Sequence, residues 1–146
     1  MDNQGIMTVD LIFATLLIVI LIGSIITIIS ERMDASSQIE ELGKARITAE
    51  NVAEVINNVY SGGSGHSATI NLPDNIAGKD YYLNVNSSGV YITVDGMIGK
   101  ACIAPKKFSA SNSLRETQII IHNGKGYTIK NVNGSDGYEW IVITPS

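Results

Sequence analysis

The chain has 146 residues, a formal net charge of −4 and one cysteine, Cys102. Such a length fits one domain plus an extra segment, and the thin negative charge leaves no basic stripe for nucleic acid. A lone cysteine excludes an internal disulfide and any multi-cysteine zinc site. The thiol is expected to be buried rather than reactive.

The first element follows directly on "MDNQGIMTVD". From Leu11 to Ser30 the chain reads "LIFATLLIVILIGSIITIIS", with no charged residue. As a helix this run covers about 30 Å, the thickness of a bilayer core. A secretory signal has a shorter apolar stretch behind a basic leader, and a soluble core helix has a polar face. Neither pattern is present, so residues 11–30 are predicted to span a membrane.

No proline interrupts the chain before Pro73. From Glu31 to Tyr60 the pattern becomes amphipathic. Ile39, Leu42, Ala45, Ala49, Val52, Ala53, Ile56, Val59 and Tyr60 recur at spacings of three and four, which places them on one helical face. Glu40, Glu41, Lys44, Glu54 and Asn57 are expected elsewhere, with Glu40 and Lys44 forming a helical ion pair. A single helix over residues 6–60 is therefore predicted, on the order of 80 Å long. Gly23-Ser24 and Gly43 are its expected weak points. The glycine-rich stretch 61–67, "SGGSGHS", is expected to end it and serve as a flexible linker.

Residues 68–146 change to a period of two. "YYLNVNSSGVYITVD" reads as a hairpin, with Tyr81, Leu83 and Val85 facing the same way as Val90, Ile92 and Val94. "TQIIIHNGKGYTIKN" reads as a second hairpin turning at Asn123-Gly124-Lys125-Gly126. "ATINL", "MIGKACIA" and "YEWIVIT" supply further strands, and Phe108 to Leu114 reads as an irregular loop. The expected fold is α+β: a small antiparallel sheet laid on the amphipathic half-helix, so that each covers the other's apolar face.

A short polar leader, an apolar helix half, an amphipathic half and a C-terminal β-domain together resemble the type IV pilin superfamily. More narrowly, residues 1–60 are similar to archaeal pilin-like proteins with a class III signal peptide. The resemblance implies a leader of residues 1–5, cut by a prepilin peptidase between Gly5 and Ile6. The leader here has no Lys or Arg where family leaders usually carry them, and Asp10 stands where the bacterial pattern has glutamate. It further implies an extracellular β-domain and a structural subunit that polymerises with copies of itself into a surface filament serving adhesion.

The role of Asp10 also follows from charge. A cut after Gly5 creates an ammonium group on Ile6, four residues from Asp10 on the same helical face. The carboxylate would offset that charge, or the equivalent charge on a neighbouring subunit, and an unpaired charge among apolar stems is costly. The alternative is that Asp10 marks the headgroup boundary. Topology draws in two directions. Arg32, Lys44 and Arg46 follow the apolar run and no basic residue precedes it, which by the positive-inside rule places the β-domain in the cytoplasm. An Asn/Ser/Thr/Gly-rich surface and two N-glycosylation triplets, at Asn86 and Asn133, favour the outside.

No constellation for catalysis, metal or cofactor emerges. His66 and His122 share no ligand spacing, and "NVNGSDG" lacks the glycine and glutamate of a calcium loop. The tyrosines and Trp140 are expected to be sheet packing. The chain is thus expected to be neither an enzyme nor a nucleic-acid binder. The competing readings are a permanently anchored single-span protein with a β-rich binding domain, and a minor pilin.

Overall fold

A computed structural model describes residues 3–115 and 118–146, with side chains described from Val9 onward. In chain order the elements are α1 (Asn3–Ser61), β1 (Ser67–Asn71), β2 (Tyr81–Asn86), β3 (Gly89–Val94), β4 (Met97–Ala101), β5 (Phe108–Ser109), β6 (Ile119–His122), β7 (Gly126–Asn133) and β8 (Glu139–Pro145). The fold is α+β, a long N-terminal helix followed by a β-rich domain, as the two hydrophobic periods require. The chain divides into two compact units, Met1–Ile39 and Glu40–Ser146.

The described residues of the first unit are helix alone. Helix α1 continues through Gly23-Ser24 and Gly43 without interruption: a cost of about 1 kcal/mol per glycine is outweighed by the Leu and Ile run around Gly23 and by the buried stripe that starts beside Gly43, at Glu41 and Ala45.

The second unit holds the rest of α1 and eight strands in two four-stranded sheets, ordered β1-β7-β8-β5 and β4-β3-β2-β6. All pairings are antiparallel except β5 with β8, where Phe108 aligns with Ile141. The expected single sheet is therefore two. The second expected hairpin is also corrected: β6 pairs with β2, whereas β7 pairs with β1 and β8. Alternation assigns a residue to a face but not a strand to a neighbour. The Asn123–Gly126 turn bonds back to the end of β1 instead, with Leu72 N–H donating to Lys125 O at 3.2 Å and Gly124 N–H to Pro73 O at 3.1 Å.

The first hairpin is as expected, with Asn86 opposite Gly89 across a two-residue turn. A further hairpin joins β3 to β4 through Asp95-Gly96, both at positive φ (47° and 79°), the backbone that a right-twisted two-residue turn demands. "FSASNSL" is only partly loop. Phe108 and Ser109 form β5 and are 1% exposed, since β8 has four consecutive buried residues and needs cover on both faces.

The core joins both sheets to one stripe of α1. Ala45, Ala49, Val52, Ala53, Ile56 and Val59 cluster with Leu83, Val85, Val90, Ile92, Ile119, Ile121, Ile129, Ile141 and Ile143. Gly99 of β4 leaves room at this seam: a Cβ there would sit 2.9 Å from Ile92 Cγ2 of the neighbouring strand and 3.8 Å from Arg46 Cα of the helix. The stripe begins later than expected, because Ile39 and Leu42 are exposed while Glu41 is buried at 5%.

The glycine stretch is a clamp rather than a flexible linker. Gly62 N–H and Gly63 N–H return to Asn58 and Tyr60 carbonyls, and Gly63 has φ of 78°, a left-handed helix stop. Gly65 N–H then donates to Asn131 O at 2.9 Å, which opens the β1–β7 ladder. Asn131 is fully buried and donates its Nδ2 to Tyr60 O at 3.2 Å, satisfying one of the carbonyls a helix end leaves without a partner.

Candidate membrane and assembly segment

The segment that distinguishes this chain is the first half of α1. Its large apolar side chains from Val9 to Ile29 are each between 51% and 68% exposed, on every side of the helix. No charged residue occurs between Asp10 and Glu31. The helix is long and apolar enough to cross a membrane.

The polar groups of this run are satisfied within it. Thr15 Oγ1 donates to Leu11 O at 3.0 Å, and Ser24 Oγ to Ile20 O at 2.9 Å. Thr27 Oγ1 donates to Gly23 O and Ser30 Oγ to Ile26 O, both at 3.0 Å. These are the four hydroxyl residues of the run. Hydroxyls bonded to their own helix carry little penalty into an apolar medium, where an unsatisfied one costs several kcal/mol. The four-residue back-bond was available to sequence reasoning at each Ser and Thr and was missed.

Asp10 lies exposed on this helix with no ion-pair partner among the described residues. Gly5 and Ile6, the positions expected to flank a cut, belong to the backbone of α1, and the Ile6 side chain falls outside the described residues.

The second unit places the other singled-out residues apart. Asn86 closes the β2–β3 turn and is half-buried; Asn133 ends β7 and is exposed. His66 lies before β1 and His122 ends β6, and no group of three or more His, Cys, Asp or Glu among the described residues is placed to hold a metal. Cys102 is exposed, against expectation, because alternation past β4 turns Ala101 and Ile103 inward and Cys102 outward. It lines a groove of about 340 Å³ with Arg46, Glu50, Asn57 and Lys100. The aromatic expectation divides. Tyr81, Tyr127 and Trp140 are buried, but Tyr82 on the outer sheet face and Tyr138 in the β7–β8 loop are 44% and 60% exposed.

Two charged clusters were not foreseen. Lys79 bridges Glu41 of α1 at 3.0 Å and Asp95 of the β3–β4 turn at 2.6 Å, and hydrogen bonds to Asp95 and then Glu41 raise its pKa. It fastens the helix to a hairpin where the buried stripe begins. Second, Lys107 Nζ lies 2.7 Å from Asp136 Oδ2 and over the rings of Tyr138 and Trp140, at 4.0 and 4.9 Å. Asp136 also accepts from Trp140 Nε1 at 3.2 Å. The Lys107 ammonium, more than any other partner, holds the Asp136 carboxyl down at about 2. The oxygen-rich "NVNGSDG" loop thus spends its carboxylate on a lysine.

No family model, curated protein or solved structure matches this chain.

Proposed function

We propose that this protein is a structural subunit of an archaeal type IV pilus-like surface filament, assembled through the first half of α1. The observation that supports this most is a helix half apolar on all sides, with its hydroxyls internally bonded, continuous with a half that completes the core of a folded domain. In this reading a prepilin peptidase cuts between Gly5 and Ile6 in the membrane. Copies of the chain then pack their apolar halves together, replacing lipid contact by protein contact. Asp10 offsets the new Ile6 ammonium group, in its own chain or a neighbour's. The β-domain faces outward, and adhesion is its expected use.

The second reading is a permanently anchored single-span protein. It is favoured by the outer face of β4-β3-β2-β6, where Ile98 is 65%, Ile120 52% and Tyr82 44% exposed, a surface suited to a membrane partner. Shearing the native cells and imaging the released material separates the two. The filament reading expects the protein in sheared filaments in bulk, or in trace amounts for a minor pilin. Retention wholly in the membrane, with no filament, supports the anchored reading.

A further inference from the structure

Two N-glycosylation triplets lie in the β-domain, and the fold treats them differently. Asn86 sits inside the β2–β3 ladder, opposite Gly89. Its Oδ1 already accepts the Ser88 N–H at 2.8 Å, and the intervening Ser87 carbonyl accepts from Lys106 Nζ at 3.2 Å. The triplet is therefore held through the Asn86 side-chain carbonyl and its backbone, with its asparagine half-buried in the ladder, although Asn86 Nδ2 and the Ser88 hydroxyl have no partner among the described residues.

Asn133 differs in its exposure. It is the last residue of β7, opposite Glu139, and it is exposed, as is Ser135 at the loop tip. Neither the Asn133 amide nor the Ser135 hydroxyl has a partner among the described residues. The middle residue, Gly134, donates its N–H to Tyr138 O at 2.8 Å. A Cβ there would meet Trp140 Nε1 at 2.7 Å and would also strike Asp136 Oδ1. The loop is thus held in one shape by its glycine and by the Lys107–Asp136–Trp140 cluster, and that shape leaves the acceptor amide and the hydroxyl two residues on free.

We propose that Asn133 carries an N-linked glycan and that Asn86 does not, an assignment resting on the outward-facing β-domain of the proposed function. The donor is a lipid-phosphate-linked oligosaccharide presented by a membrane transferase on that side. Asn133 Nδ2 forms a bond to the anomeric carbon while the bond from that carbon to the phosphate oxygen breaks. The lipid phosphate leaves with the bonding electron pair, and one amide proton passes to the transferase.

The test is the intact mass of the full chain purified from its native cells, for wild type, Asn133→Gln, Ser135→Ala and Asn86→Gln, beside protease digestion of intact cells. The expected result is a wild-type mass above that of the polypeptide by one glycan. That increment is lost in Asn133→Gln and in Ser135→Ala, which keeps the asparagine, and retained in Asn86→Gln. An unmodified mass in a chain whose β-domain is digested on intact cells overturns the assignment and leaves the outward topology standing. An increment lost only in Asn86→Gln overturns it equally. A β-domain protected until the cells are broken sinks the outward reading and the glycan with it.

Discussion

Val9–Ile29 and Ala45–Tyr60 belong to one uninterrupted helix, yet they meet different surroundings. In the second stretch six residues of one stripe are at most 4% exposed, because the chain's own sheets cover them. In the first, no large apolar side chain is less than 51% exposed. The difference lies in the arrangement of apolar residues. A stripe is satisfied by one sheet face or two, whereas a helix apolar all round is satisfied only by a medium or by several neighbours. The first half therefore calls for a medium or neighbours of its own.

The strongest way to sharpen this contrast is to remove bulk from each half. Ile56→Ala empties a fully buried site and is expected to destabilise the β-domain by about 2–5 kcal/mol. Ile20→Ala, in detergent, is expected to leave the domain's unfolding midpoint unchanged within about 0.5 kcal/mol. Denaturant unfolding followed by Trp140 fluorescence reads both. Equal losses would break the comparison.

A charge probes the first half directly. Ile20→Asp places a carboxylate near the middle of the apolar run, at a cost of about 2.5–3.5 kcal/mol for membrane insertion. It is expected to deplete the protein from membrane and filament fractions while the β-domain still folds. Fractionation with immunodetection checks this.

Smaller effects belong to the second unit. Asp136 titrates in the folded domain at about 2, below its ordinary value. Its contribution to stability is present above about pH 4 and is lost as pH falls through 2. Asp136→Asn should flatten the acid limb of the stability profile in that window. Tyr81 behaves in the opposite sense. Burial, with Asp74 adding to it, pushes its phenol up to about 12. Its contribution is full below about pH 10 and declines as pH rises towards 12, and Tyr81→Phe should remove that decline. The smallest change is expected for Glu50→Ala. Its 2.9 Å pair with Arg46 is exposed on the helix surface, so the loss should stay within roughly 0.5 kcal/mol.

Much of this was legible in residue patterns. The switch from unbroken apolarity to a stripe and then to a period of two marked the helix halves and the β-domain. Asn86–Gly89 marked one hairpin, and Asp95-Gly96 carried an equally readable turn signal for the next. Strand partners were not legible: β6 and β7 are adjacent in sequence, but their apolar residues serve different sheets. The burial of Glu41 was hidden for a related reason. Its compensation comes from Lys79, and nothing local announces a partner that distant in the chain. In the apolar run, Thr15, Ser24, Thr27 and Ser30 could have been recognised from their four-residue reach to a carbonyl. In the proposed assembly Asp10, Gly5 and Ile6 would act through a cut and through neighbouring copies, which one chain does not display.

The most direct measurement of the central claim is the N-terminal sequence and intact mass of the protein recovered from the sheared cell surface. A subunit that begins at Ile6 in filaments is the predicted result, with Asp10 four residues from the new ammonium group. A chain that still begins at Met1 or Asp2, and is found only in membranes, would contradict the assembly account and leave α1 as an anchor.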